Sequence, residues 1–279
     1  MATRTGSGSV PDSLHSAADR ATDSNAFENA ARVGFAASGI LHLLLGYIVL
    51  QLAVGSGGGN ADQSGALATL AGQPGGAFVL WAAAIGLAAL GLWRLAEAVI
   101  GSRPGEPGGK DDNAWWDRAK SLALAVVSFG IALSAARFAM GGGTSDSRQN
   151  AGLSAQLMQT GWGKAVLIVV GIGIAAVGGY HVYKGVARKF LDELRVSGGT
   201  AIVASGVAGY TAKGVVLGGA GLLVIVATAQ ADPSKAAGLD AAIKTLGQAP
   251  FGTFLLILAA LGIAAFGVYS FVRSRYGRM

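Results

Sequence analysis

Apolar residues gather along this chain in six long runs, separated by shorter polar segments. Each run has about the 20 residues that a helix needs to cross the hydrocarbon core of a bilayer. The predicted spans are residues 33–54, 77–98, 119–140, 164–184, 209–229 and 251–272. The third run is the weakest, because only sixteen uncharged residues separate Lys120 from Arg137. The pattern predicts an all-α polytopic integral membrane protein with six transmembrane helices.

One short glycine pattern returns at the same place in every second span. It reads GLAALG (Gly86–Gly91), GIAAVG (Gly173–Gly178) and GIAAFG (Gly262–Gly267), with an aromatic residue two positions later. Each repeat unit then contains a helix, a loop and a second helix, so successive units share one orientation. This predicts three parallel two-helix repeats with pseudo-threefold symmetry about an axis along the membrane normal.

The predicted segments follow from these repeats. They are a disordered polar tail over residues 1–29, repeat 1 over 30–100, a linker and repeat 2 over 101–185, and a linker, repeat 3 and a basic C-terminal end over 186–279. The glycines of the repeated pattern are predicted to let helices approach closely, because no hydrophobic effect drives helix association in lipid. These helix-packing positions are Gly86, Gly91, Gly173, Gly178, Gly262 and Gly267.

A short amphipathic run precedes the second span of each repeat. The runs are ALATLAGQPGG (Ala66–Gly76), GLSAQLMQTGWG (Gly152–Gly163) and GLDAAIKTLGQAPFG (Gly238–Gly252). Each is predicted to form a helical turn or two at the membrane surface, ended by the glycine or proline that follows.

Composition agrees with a chain whose solvent is largely lipid. Hydrophobic residues make up 52% and charged residues only 13%, whereas a soluble domain carries about 25% charge. The chain has no cysteine, which excludes disulfides and thiolate metal sites. Only three histidines occur and one lies in the tail, so neither a metal nor another cofactor is expected. The polar tail has no apolar core and does not resemble a signal peptide.

The distribution of basic residues predicts the orientation. Lysine and arginine concentrate near the starts of the odd spans and the ends of the even spans, and are sparse in the opposite loops. The positive-inside rule then predicts a multi-pass protein of the plasma (inner) membrane with both termini in the cytoplasm. The formal charge of +6 is explained by this placement, so no nucleic-acid partner is expected.

The repeats resemble a known family. Units that close with G-x-A-A-x-G-x-aromatic and open with segments such as ARVGFAASGILHLLLG (Ala31–Gly46) and VAGYTAKGVVLGG (Val207–Gly219) are similar to the bacterial membrane family called domain of unknown function 1206. The resemblance covers residues 30–276, and the middle unit departs from it, because Asp117–Gly130 lacks the glycine-aromatic start. It implies a topology and a membrane location, and no activity.

Ionisable residues inside the spans are the candidate chemistry, because they are costly to keep in a membrane. His42 lies mid-span and either bonds a neighbouring helix or binds a proton, cofactor or polar solute. Arg94 and Glu97 are three apart on one helix face and can pair. His181 aligns with Arg94, and Lys213 of the fifth span lies near enough to join them. These residues form either a gate or anionic-ligand site between repeats, or interfacial charges that reach lipid headgroups.

Three functions stay open. The leading hypothesis is a non-enzymatic packing, scaffold or accessory protein that contacts the lipid bilayer, other copies of itself or another membrane protein. The alternative is a small-solute or ion transporter or channel with a site between repeats, and the third is a cofactor- or pigment-binding protein that uses His42. A polar central cavity would favour transport, and a tightly filled axis would favour a scaffold.

Overall fold

The chain folds into nine α-helices over the residues that the structure, a computed structural model, describes: 25–57, 59–100, 114–196 and 198–278. They are α1 (Asn25–Ala53), α2 (Gln63–Ala71), α3 (Gly76–Ile100), α4 (Ala114–Ala139), α5 (Asp146–Met158), α6 (Gly161–Val186), α7 (Thr200–Gln230), α8 (Leu239–Gln248) and α9 (Gly252–Tyr276). A short 3-10 helix, Lys189–Glu193, follows α6. Six of these helices, α1, α3, α4, α6, α7 and α9, are long and apolar enough to cross a membrane. The all-α class and the six predicted spans are confirmed.

Two helix starts differ from the sequence prediction. Helix α7 begins at Thr200, not at residue 209, and therefore places Lys213 well inside the helix. Helix α1 begins at Asn25, so the last residues of the predicted polar tail are helical. The rest of that predicted tail, residues 1–24, lies outside the described residues.

Each repeat is a long helix, a short helix and a second long helix. The short helices α2, α5 and α8 overlap the three predicted amphipathic runs, and each is longer than the predicted one or two turns. Helix α5 differs most, because it begins at Asp146, six residues before the predicted run. Polar side chains cap two of them, because Asp62 accepts a hydrogen bond from the Gly65 N–H and Ser145 accepts one from Arg148. We call the end of the bundle that carries these three helices the cap side. The opposite end, where α1 begins and α9 ends, is the tail side.

Three aligned glycines make the tight step from each short helix into the next span. A Cβ on Gly76 would overlap the carbonyl oxygen of Leu70, and one on Gly163 would overlap that of Leu157. Gly252 has the same relation to the carbonyl of Gly247. Only glycine leaves room for this close backbone approach, which explains why the position returns in all three repeats.

The spanning helices pack into an open ring. The closest pairs join neighbouring repeats: α3 with α4, α6 with α7, and α9 with α1. Within repeats, α1 packs on α3 and α7 packs on α9, but α4 and α6 share no comparable interface. The middle repeat therefore departs from the other two, and pseudo-threefold symmetry stays a prediction.

Glycine backbone contacts hold the closest helix pairs together. A Cβ on Gly178 of α6 would lie 2.7 Å from the carbonyl oxygen of Gly214 of α7. A Cβ on Gly267 of α9 would lie 2.9 Å from the carbonyl oxygen of Gly39 of α1. Small residues at such crossings let the backbones approach within van der Waals contact in lipid.

The other predicted packing glycines do not all behave alike. Gly86 faces Gly34 of α1, Gly91 faces the ring of Phe129 in α4, and Gly262 faces Ala212 in α7. Gly173, in contrast, lies on an exposed face of α6, where an added Cβ would meet open space within 4 Å. Its expected packing role belongs to Gly171, two residues earlier, which approaches Gly221 of α7.

A polar network closes the cap side by linking all three repeats. Asp62 accepts hydrogen bonds from the hydroxyls of Ser64, at 2.6 Å, and Ser147 of the second repeat. Asp240 of the third repeat accepts one from the Ala61 N–H at 2.7 Å. Both carboxylates are buried. Because these bonds join segments far apart in sequence, they fix the short helices against one another.

An apolar core fills the cap-side half of the axis. It includes Val49, Leu67, Leu80, Ile243 and Ile263, all almost fully buried. The axis of the tail-side half is not filled in the same way, and this is where the ionisable residues lie.

Candidate functional site

A cavity of about 310 Å³ lies between the spanning helices in the tail-side half of the bundle. All six spans contribute to its lining, from Phe35 and Ser38 of α1 to Arg273 of α9. Its volume is within the range of small-molecule binding sites, which is about 300–1,000 Å³. The packed core above it closes the cavity toward the cap side.

The lining is charged and mainly basic. Its ionisable residues, apart from histidine and tyrosine, are Arg94, Lys120, Lys184, Lys213, Arg273 and Arg278 against Glu97, Asp117 and Glu193. Six cations against three anions leave a formal excess of three positive charges. Charge at this depth is costly unless it is paired or solvated, so the excess is the feature that requires an explanation.

Lys213 carries one of the charges that no carboxylate of the described residues compensates. Its Nζ lies 4.0 Å from the centroid of the Phe266 ring, a cation–π contact. Among the described residues no carboxylate lies within ion-pair distance of Lys213, and its side chain is half-buried. The ammonium group therefore has hydrogen-bond donors available for a ligand.

Glu193 forms the centre of a second group of charges. The 3-10 helix turns back toward the bundle, so that Glu193 pairs with Lys184 of α6, at 2.5 Å, and with Arg273 of α9, at 3.0 Å. Burial alone would raise the pKa of Glu193, but Arg273 and Lys184 outweigh it and lower the pKa to about 2. Glu193 is therefore ionised at neutral pH and neutralises one of the two cations.

An aromatic cluster holds Glu193 in place. Phe190 is fully buried and stacks on the ring of Tyr210 at 5.6 Å between centroids. The Tyr269 hydroxyl donates a 2.9 Å hydrogen bond to the carbonyl of Phe190, and the Tyr210 hydroxyl donates one to Glu193 at 3.4 Å. The linker after α6 is thus part of the core on the tail side.

The predicted pair Arg94 and Glu97 forms along α3. The guanidinium contacts the carboxylate at 2.7 Å, and the same oxygen accepts a 3.0 Å hydrogen bond from Ser121 of α4. The pair therefore binds α3 to α4 at one wall of the cavity. With its charge compensated locally, it adds little to the basic excess.

The two intramembrane histidines have different positions. His181 lines the cavity, and its Nδ1 lies 2.8 Å from the carbonyl of Val177. His42 does not line it, and its Nδ1 lies 2.7 Å from the carbonyl of Ser38. A carbonyl only accepts, so Nδ1 carries the proton in both rings. The His42 ring packs on Phe266 at 4.7 Å between centroids, behind the face of the cavity.

The structure therefore brings together Arg94, Glu97, His181 and Lys213 around one cavity and leaves His42 next to it. Sequence reasoning missed Glu193 and Arg273, because spacing along the chain indicates no partner for either of them. One signal could have found Glu193: the linker segment KFLDEL alternates charged residues with large apolar ones (Phe190, Leu191, Leu194), which is unusual for a solvated loop.

Comparison with known proteins gives three matches to one family along the chain. The family described as Domain of Unknown Function (DUF1206) matches residues 33–101, 119–188 and 208–277. The protein "Uncharacterized protein YxxB" of Bacillus subtilis (strain 168) is 30% identical over 256 residues, which cover 89% of this chain and 90% of that protein. No solved structure is significantly similar to the chain.

Proposed function

Because the chain belongs to the Domain of Unknown Function (DUF1206) family, whose description assigns no activity, we propose a function from the cavity: a membrane transport protein that binds an anionic solute between its repeats. The observation that carries this proposal is the excess of basic side chains around the cavity, with Lys213 lacking a carboxylate partner in the described chain. An anion would neutralise this excess and accept hydrogen bonds from the ammonium group.

The cavity favours this function over a packing or scaffold role. A scaffold needs small-residue surfaces and a filled axis, and a lysine kept at mid-depth would only reduce its stability. Two features of the sequence favour the scaffold hypothesis: extensive small-residue surfaces and a shortage of buried polar groups. The second does not hold around this cavity, which is lined by Lys184, Glu193, Lys213 and Arg273.

Access from one side supports transfer across the membrane. The cap-side core and the polar network close the cavity on one end, while its charged residues reach the tail-side ends of the helices. Alternating access requires a site near the middle of the bundle that opens to one side at a time. We infer that this structure corresponds to the state open to the tail side, and that no chemical conversion of the solute takes place.

The first test of the proposal is whether the protein binds an anion. We would measure the unfolding temperature of the purified protein in detergent with succinate or glycerol 1-phosphate, and with glycerol and sodium chloride at matched ionic strength. A bound anion at 100 times its Kd stabilises the folded state by about 2.7 kcal/mol, which raises the unfolding temperature by several degrees. Lys213→Met should abolish the increase, whereas Lys235→Met, a change at an exposed cap-side lysine, should retain it.

Flux tests the second half of the proposal. Proteoliposomes preloaded with the stabilising anion should accumulate the same radiolabelled anion by exchange, and those with Lys213→Met should not. Equal stabilisation of the wild type and Lys213→Met would place any anion site elsewhere. Stabilisation without exchange would contradict transport and leave a binding protein.

A further inference from the structure

We propose that the anion is an amphiphile: its phosphate-bearing head occupies the tail-side cavity, and its acyl chain leaves through the gap between α4 and α6. The inference rests on the proposed anion site and names the chemical class of its ligand. It comes from the place where, among the described residues, two neighbouring helices of the ring share no extensive interface.

The gap is visible in how little of α4 and α6 is covered by protein. Only 22% of the α4 span and 17% of the α6 span are buried, against 39% to 50% of the other four. Helix α4 packs on α3 and α6 packs on α7, but among the described residues α4 and α6 share no extensive interface. Lipid tails are the natural occupants of an uncovered apolar face in a membrane.

The gap leads directly into the cavity. The two helices that border the gap both contribute to the lining of the cavity. Helix α4 contributes Ser121 and Ser128, and α6 contributes Tyr180 and His181. Tyr180 lines the cavity and is 47% exposed, so this side chain lies at the edge of the cavity next to the gap. Lys120 reaches across from α4, with its Nζ 5.8 Å from the centroid of the Tyr180 ring.

Polarity changes along the gap as it does along a phospholipid. Near the tail side the walls carry Lys120 and His181. Toward the bilayer centre α6 presents Val177, which is half exposed, and Gly173, with open space around it. Gly173 lies seven residues before Tyr180 and therefore on the same face of α6. A charged head at the level of the lysines and an acyl chain along Gly173 match this gradient.

Charge favours a phosphate-bearing lipid head over a neutral one. Lys120 and Lys213 both line the cavity and lack a carboxylate partner among the described residues. Basic pockets between transmembrane helices on the cytoplasmic side bind anionic lipid heads, which are enriched in that leaflet. The cavity of about 310 Å³ accommodates a head of glycerol phosphate size but not the acyl chains, which must stay outside.

The experiment uses lipid retention and a matched pair of glycine variants. The full chain is reconstituted in vesicles of equimolar phosphatidylcholine and phosphatidylglycerol and then extracted into mild detergent. Native mass spectrometry identifies the lipids that stay bound to it. Wild-type protein should retain phosphatidylglycerol over phosphatidylcholine, and Lys213→Met should retain about tenfold less, as expected for loss of one charged hydrogen bond. Gly173→Phe, which adds a ring to the exposed face of α6 that also carries Tyr180, should lose the lipid. Gly219→Phe, at an exposed position of α7 that also has open space, should keep it.

Stabilisation by glycerol 1-phosphate tests the anion site, and retention of phosphatidylglycerol tests the amphiphile, so the two proposals can fail separately. Gly173→Phe should still be stabilised by glycerol 1-phosphate, because its cavity is intact. If glycerol 1-phosphate stabilises the wild type through Lys213 but Gly173→Phe retains as much phosphatidylglycerol as the wild type, the amphiphile inference is overturned and the anion site stands. Equal retention of phosphatidylcholine also overturns it. If neither the stabilisation by glycerol 1-phosphate nor the retention of phosphatidylglycerol depends on Lys213, both proposals fail.

Discussion

Glu193 shows how much a single residue decides on the tail side of this protein. Its carboxylate pairs with Lys184 and Arg273, which belong to the ends of α6 and α9, and it lies in a linker anchored by Phe190. Without it, two cations would face each other beside a cavity that already has a basic excess. Removing one partner of a largely buried ion pair is costly, because the other partner stays desolvated and unpaired.

We expect Glu193→Gln to lower the free energy of unfolding by about 2–4 kcal/mol, because the pair is mostly but not fully buried. Chemical or thermal unfolding in detergent would measure the loss. Asp232→Asn is the matched control, since Asp232 pairs with Lys235 on the exposed cap side, and it should cause no measurable change. An equal loss in both variants would contradict a special role of Glu193.

The pH dependence of the free energy of unfolding provides a second test of Glu193. Its pKa is lowered from 4.5 to about 2 by Arg273 and Lys184 against the opposing effect of burial. A lowered carboxylate pKa stabilises the fold above the unfolded value, and that stability is lost as the pH falls toward the folded value. Wild-type stability should therefore decrease between pH 4.5 and about 2 more steeply than that of Glu193→Gln. Parallel curves would exclude Glu193 as the source.

At the scale of the helices, α6 and α7 meet at a crossing where glycine backbones lie in direct contact. Gly178 and Gly214 approach until a Cβ on either would lie less than 3 Å from backbone atoms of the other helix. Helix α6 therefore packs tightly on α7 along one face, and its opposite face borders the gap to α4. A larger side chain at this crossing cannot move away, because it would meet backbone and not a flexible side chain.

Gly178→Leu should separate α6 from α7 and destabilise the protein by about 1–3 kcal/mol or more. Size-exclusion chromatography of detergent extracts and thermal unfolding would report the loss. Gly179→Leu is the neighbouring control, because a Cβ at Gly179 meets open space, and it should behave like the wild type. A harmless Gly178→Leu would show that the crossing is looser than the structure indicates.

At the scale of the whole molecule, the two ends of the bundle differ in charge and closure. The tail side carries the basic cavity, and the cap side is closed by Asp62, Asp240 and the core beneath them. With six spans, the start of α1 and the end of α9 lie on the same side of the membrane. The positive-inside rule favours the tail side in the cytoplasm, where anionic lipids are enriched.

Because the chain contains no cysteine, single cysteines can test this orientation. Ser234 is exposed on the cap side, and Asp192 is an exposed residue of the otherwise largely buried tail-side linker. A membrane-impermeant maleimide should label Ser234→Cys in intact cells, and Asp192→Cys only after the membrane is permeabilised. The reverse pattern would place the cavity on the outer face and remove the argument from cytoplasmic anionic lipids.

The sequence by itself determined the six spans, the three repeats, the short helices before each second span and the pairing of Arg94 with Glu97. These are properties of length, apolarity and spacing within one helix, which need no knowledge of neighbours. Only the tertiary structure decided that α4 and α6 stay apart, that Gly173 faces outward, and that Lys213 and Glu193 lie at one cavity. Which face of an apolar helix meets protein and which meets lipid depends on contacts between distant segments. In lipid both faces are equally apolar, so periodicity carries little of that information.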